Sequence, residues 1–236
     1  MTRLNAEPPL VVPVRDLVDD PNEIEGIESW LRDVLSTYRD TLEPERRLLL
    51  DRYELVDMAR KVVGVGSVGT RSWMLLLIGD DRCPLFLQAK EAGPSVLEAF
   101  VGASRYDNQG ERVVVGQRLM QAVSDIFLGW VRVTGLDGTD RDFYLRQLRD
   151  WKGSAEIETM RPEGMRAYGE VCGWTLARAH ARSGDPVAMA AYLGGGPSFD
   201  EAVRDFADAY ADQNERDHRS LVAAIAAGRI TAEAGV

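Results

Sequence analysis

Cysteine and histidine are scarce in this chain, with two of each in 236 residues. Cys83 and Cys172 stand far apart and form no Cys-x-x-Cys pair, so a disulfide framework is not expected, nor is a zinc or haem site. Both cysteines read as small buried apolar residues. Long apolar runs are missing too. No stretch approaches the roughly 20 apolar residues of a membrane helix, and residues 1–13 hold no apolar block of signal-peptide type. The expected location is therefore the cytoplasm, with no membrane partner. A basic surplus is also absent: 28 Lys and Arg stand against 38 Asp and Glu, for a net charge of −10. Clustered cations supply most of the affinity for nucleic-acid phosphates, so nucleic acid is disfavoured as a partner.

What is present is an ordinary globular composition, 45% hydrophobic and 28% charged, in a chain long enough for one core or two packed lobes. Pro8, Pro9 and Pro13 make residues 1–19 suit an extended arm. Asp20 and Pro21 look like an N-cap and first turn, with Ile24, Ile27, Trp30, Leu31 and Leu35 at helical spacing behind them. A second helix is predicted over 43–53, with Leu48 and Leu49 inward.

Between 56 and 92 the pattern turns strand-like. The glycines and β-branched residues of 62–69 do not suit a helix, 73–78 is a continuous apolar run, and 85–87 is another. These read as three strands of an antiparallel meander. A helix over 109–122 and strands over 126–133 and 142–148 follow. From Pro162 onward the spacing is helical, with Tyr168, Val171, Cys172, Thr175, Leu176 and Ala179 on one face and Phe199, Val203, Phe206 and Tyr210 on another. Glycines 194–196 and Pro197 break that part in two. The fold class expected is α+β: a small antiparallel five-stranded sheet with one helix, followed by an all-helical part. The divisions fall at 1–54, 55–150 and 151–236.

The sharpest local pattern is Gly64-x-Gly66-x-x-Gly69. In a dinucleotide site a helix follows the third glycine, whereas here 73–78 runs into a Gly-Asp-Asp turn and suits a strand. A glycine loop between antiparallel strands is the kinase arrangement, in which backbone amides lie over nucleotide phosphates. Gly64, Gly66, Ser67 and Gly69 are thus candidate nucleotide-binding residues. Lys90 ends the next apolar run, and an ammonium on a core strand needs a partner. Glu111, near the start of the following helix, is the first candidate for that partner, with Glu98 and Glu91 as competitors. The alternative is a plain tight turn and a snorkelling lysine.

Taken together, ARKVVGVGSVGTR at 59–71, LQAKEA at 87–92, QGERVV at 109–114, GQRLMQ at 116–121, YLRQLRD at 144–150, LARAHARSGD at 176–185 and YADQNERD at 210–217 resemble a bacterial family, domain-of-unknown-function family 2252. That resemblance implies kinship with the protein-kinase-like and aminoglycoside-phosphotransferase-like superfamily. Longer members look circularly permuted, with Gly-Asp-x-His-x-x-Asn-Phe-Gly and Asn-Asp-Phe-Asp motifs upstream of the glycine loop. On this reading the chain resembles the C-terminal part, and the expectation is that the catalytic loop comes from a missing N-terminal segment or a partner chain.

ATP and Mg²⁺ are the cofactors this implies. By order of elements, Gln147 and Leu148 begin a hinge, 147–152, whose backbone would meet an adenine ring. Asp150 with Lys152 imitates a kinase catalytic loop, but Ala155 occupies the expected asparagine position. His180, Arg182 and Asp185 are candidates to border an active site. The competing reading makes Gly184 a helix stop, Asp185 a cap and His180 a core histidine. Asp212 and Asp217, beside Gln213 and Asn214, are candidate metal or phosphate ligands, or else a solvated face. Two functions are open: a nucleotide-binding, phosphotransferase-like protein, or a non-catalytic interaction module that keeps the fold without turnover.

Overall fold

Apolar runs and partial alternation along 53–61, 72–92 and 129–147 produce paired strands. The computed structural model describes residues 3–17, 21–62, 69–135, 138–148, 153 and 155–232, leaving aside the side chains of 21–25 and 28. Its elements run β1 (Val11–Pro13), α1 (Pro21–Arg39), α2 (Pro44–Leu50), β2 (Tyr53–Lys61), β3 (Ser72–Gly79), β4 (Pro84–Ala92), α3 (Glu98–Val101), α4 (Gln109–Met120), β5 (Gly129–Thr134), β6 (Asp140–Gln147), α5 (Pro162–Ser183), α6 (Pro186–Leu193) and α7 (Ser198–Ala226). All strand pairings are antiparallel, in the order β1-β2-β3-β4-β6-β5.

The sheet thus has six strands where five are predicted. The extra one is β1, inside the proline-rich arm. Val11, Val12 and Pro13 pair with Lys61, Arg60 and Ala59. Arg15 fixes the arm by donating to the Asp57 carboxylate at 2.5 Å and to the Leu4 carbonyl at 2.7 Å, while the Leu4 amide donates to the same carboxylate at 2.8 Å. The first long strand also lies earlier than the glycine pattern implies, at Tyr53–Lys61, because α2 stops at Leu50. In that short helix Leu50 is the buried residue. Leu48 is 70% exposed, contrary to expectation, and Leu49 packs partly on the core.

One sheet face is the main core. Met58, Leu75, Leu87, Val131, Phe143 and Leu145 project there and meet Ile27, Leu31, Tyr38 and Leu42, so α1 and the sheet share one interior. Each such aliphatic side chain contributes about 1.5–3 kcal/mol when fully buried. The other face carries a smaller apolar cluster of Leu4, Val11, Ala59, Met74 and Leu76.

At the end of α1, Tyr38 is fully buried and its hydroxyl donates to the Phe127 carbonyl. Burial, helped by the negative charge of Asp125 and opposed by Arg118, pushes the phenol far above its ordinary pKa, so it remains a donor. Gly129 is required beneath it: a Cβ there would lie 2.6 Å from Thr41 Oγ1 and 2.7 Å from the Tyr38 ring.

The chain divides into two compact units, 1–179 and 180–236. Helix α5 crosses from the first to the second. Its predicted apolar face is largely exposed: Tyr168, Val171 and Leu176 are 40%, 62% and 60% accessible. In the second unit Tyr192 meets Phe199 edge-on at 6.4 Å, and Phe206 stacks on Tyr210 at 5.7 Å. The cysteines differ from expectation. Cys83 is exposed in the β3–β4 turn, where a strand reversal needs polar geometry, and Cys172 is half-buried. Among the described residues no helix is long and apolar enough to cross a membrane.

Tyr38→Phe tests the helix-to-sheet anchor. It strands the buried Phe127 carbonyl, and an equilibrium urea titration should show a loss of about 1–3 kcal/mol. An unchanged midpoint would contradict that role.

Candidate phosphate-binding face

Register determines which side chains share the face opposite the main core. Ser72 pairs with Lys90, Lys90 with Tyr144, and Tyr144 with Trp130, so these four stand in one row across β3, β4, β6 and β5. One step along, Met74 pairs with Gln88 and Gln88 with Arg146. A polar patch therefore lies beside the apolar cluster of this face. Gln88 and Ser72 are 3% and 4% exposed, although burying unpaired amides and hydroxyls is unfavourable. They join each other, Gln88 Nε2 donating to Ser72 Oγ at 3.4 Å.

Arg146 Nε is buried and has no hydrogen-bond partner among the described residues. Such an orphan costs about 1–3 kcal/mol in isolation. Burial raises the pKa of the neighbouring Tyr144, with the positive charge of Arg146 acting in the opposite direction.

Helix α4 lies on this same face. Asn108 caps it, accepting from the Glu111 amide at 3.0 Å. Gly110 touches β6 so closely that an added Cβ would sit 2.2 Å from the Phe143 carbonyl oxygen. Asp142, 8% exposed, locks the junction. Its carboxylate accepts from the Gln109 amide at 2.7 Å and from Arg132 at 2.7 and 3.0 Å. Burial works against its ionisation, yet the hydrogen bonds from Arg132 and the Gln109 amide, with the Arg132 charge, hold its pKa below the usual carboxylate range.

The predicted site residues divide accordingly. Lys90 is half-buried on this face, and Glu111 is half-buried on the first turn of α4. No ion pair joins these two among the described residues. Of the competitors, Glu91 has the opposite strand parity and pairs with Arg71 at 3.3 Å on the other face, while Glu98 accepts from the Ser95 amide at 3.1 Å. Gly69 has φ +84°, a value that suits glycine. Gly64, Gly66 and Ser67 lie outside the described residues, in the connection between β2 and β3.

Gln147 ends β6, its amide donating to Asp125 at 2.6 Å, and the Leu148 amide donates to the Phe86 carbonyl at 2.8 Å. Both backbone donors are therefore engaged. Asp150 and Lys152 lie outside the described residues.

Elsewhere, Asp185 is the N-cap of α6, accepting from the Val187 and Ala188 amides at 2.9 and 3.1 Å. His180 is exposed on the last turns of α5, which corrects the expectation of a core histidine: that stretch of helix has no buried residue to pack it. Asp212 and Asp217 are exposed on α7, where Asp217 accepts from Gln213 at 2.7 Å. No group of three or more His, Cys, Asp or Glu side chains is arranged to hold a metal ion among the described residues.

Ser72, Gln88, Tyr144 and Arg146 were not foreseen. The signal for the last two is alternation, with Tyr144 and Arg146 on either side of the core residue Leu145.

The sequence pattern of domain-of-unknown-function family 2252, described as an uncharacterized protein conserved in bacteria, matches residues 1–224. No curated protein and no solved structure matches the chain.

Asp142→Asn should loosen α4 from β6 and cost about 1.5–3 kcal/mol, the range for hydrogen bonds to a charged group. A carboxylate whose folded pKa is depressed stabilises fully above its unfolded value of about 3.9, and that contribution fades as pH falls toward the folded value. The gap between wild type and variant in denaturant titrations should therefore be widest near neutrality and close in acid. A gap independent of pH would count against an ionised Asp142.

Proposed function

The chain belongs to domain-of-unknown-function family 2252, and on that premise we propose that it binds a nucleoside di- or triphosphate on the sheet face carrying Lys90, in the manner of a kinase-like N-terminal lobe. The observation that carries the reading is that two cations share one face of the sheet. Lys90 and Arg146 share a face with the buried polar pair Ser72 and Gln88, on the side of the sheet where α4 packs.

Phosphate oxygens suit this chemistry. A lysine acts as a point charge and a guanidinium as a directed set of donors, and the buried orphan Arg146 Nε is a donor an anion would satisfy. Backbone amides of Gly64, Gly66, Ser67 and Gly69 would approach the phosphates where side chains cannot. Glu111 is the carboxylate assigned to orient Lys90. Because Gln147 and Leu148 already use their amides, an adenine ring in this reading contacts backbone beyond Leu148. Mg²⁺ would arrive with the nucleotide. The described residues offer it no acidic cluster, so no phosphoryl-transfer step is assigned to this chain.

Calorimetric titration with ADP and ATP tests the reading. Wild type should bind, and Lys90→Ala should weaken binding at least tenfold, about 1.4 kcal/mol. Thermal unfolding should agree, since ligand at a hundred times Kd stabilises by about 2.7 kcal/mol. Wild type and variant that bind equally, or equally fail to bind, would refute it. A second reading, a non-catalytic interaction module, is favoured by the exposed aromatics Trp174, Tyr192 and Phe206, which are 61%, 83% and 66% accessible. It expects no nucleotide-dependent shift.

A further inference from the structure

Helix α7 carries an apolar stripe that is open to solvent along a stretch where every residue is described. Phe199, Val203, Phe206 and Tyr210 are 42%, 49%, 66% and 59% accessible. They follow one another at steps of four, three and four residues, the spacing of the a and d positions on a helix that pairs with another helix. Tyr192 of α6 prolongs the stripe at one end, edge-on to Phe199 at 6.4 Å. At the other end the next two positions of the repeat hold Gln213 and Asp217, joined to each other at 2.7 Å, and the apolar pattern stops.

The placement of charge around the stripe decides what fits it. At 3.6 residues per turn, Glu201, Arg204, Asp205, Asp208 and Asp212 fall on the side of the helix away from the stripe. The positions that border it hold Asp200, Ala202, Ala207 and Ala209. A surface made for a cationic helix would be rimmed with carboxylates. This rim is almost uncharged, and its alanines allow a second helix to come close.

We propose that the stripe is the contact surface for a second copy of the chain, with the two α7 helices antiparallel about a two-fold axis between Val203 and Phe206. In that register Phe199 layers on the partner's Tyr210 and Val203 on the partner's Phe206. The symmetry repeats both layers, so the contact is closed and self-complementary. Along the rim Ala202 faces the partner's Ala209 and Asp200 faces the partner's Ala207. No like charges meet there, although each copy carries a net charge of −10. A fully buried aromatic covers about 150–250 Å², so these half-exposed side chains offer on the order of 500 Å² per copy. That is less than the roughly 800 Å² per partner of a standard interface, and the dimer is accordingly reversible. The surface lies wholly within α6 and α7 and does not rest on the nucleotide reading.

Sedimentation equilibrium of the full chain should show monomer and dimer exchanging through the micromolar range. Added salt should strengthen the dimer by screening the repulsion between two acidic chains. Phe206→Asp should weaken it at least about tenfold. Ala202→Glu combined with Ala209→Glu brings like charges face to face and should weaken it comparably. Ala202→Glu combined with Ala209→Lys brings opposite charges together and should hold at least as tightly as wild type. All three positions are exposed, and circular dichroism verifies that each variant folds. A chain that stays monomeric, that associates only with an added basic amphipathic helix, or that grows past a dimer would overturn the proposal. So would a dimer that salt weakens, a dimer indifferent to Phe206→Asp, or equal affinity in the two double variants.

Discussion

The junction between α4 and the sheet depends on a single carboxylate. Asp142 receives the first amide of the helix and the guanidinium of Arg132, and Arg132 in turn donates to the Asp107 carbonyl that leads into the helix. Helix, edge strand and inner strand are joined through two oxygens. With that junction in place, Gly110 can rest on the β6 backbone, next to the strand that bears Lys90.

The sheet separates two chemistries by parity alone. Residues of one parity build the main apolar core with α1. Residues of the other parity alternate with them and hold the lysine, the guanidinium of Arg146 and the amide–hydroxyl pair. A one-residue slip of β4 against β3 or β6 would exchange the two sets. The large apolar side chains Leu75, Leu87 and Leu145, all nearly inaccessible, make such a slip costly. The core that stabilises the sheet also specifies which cations face outward together.

Much of this architecture is readable from residue order. The apolar run at 73–78 and the Gly-Asp-Asp turn after it specify β3 and its reversal, and the helix predicted over 109–122 forms as Gln109–Met120. Two kinds of information are not local. Val11–Pro13 looks like a proline-rich arm because its strand character comes from pairing with β2 and from the Arg15–Asp57 contact across 42 positions. The stretch 51–53 looks like the tail of a helix because nothing nearby marks the stop after Leu50. Likewise, Lys90 stands out by itself, whereas Gln88, Tyr144 and Arg146 acquire meaning only once strand register brings them beside it.

The outermost strand, β1, has only three residues and ends in a proline with no amide hydrogen to offer. A rim so brief gives an incoming foreign strand almost no template. The opposite rim, β5, is six residues long and bears the charged Arg132 midway. Short length, proline and charge at the rims are the devices by which natural sheets resist growing sideways into aggregates. A chain with this many exposed apolar side chains on its later helices therefore keeps its sheet margins guarded, and any self-association is directed to side-chain contacts instead of backbone ladders.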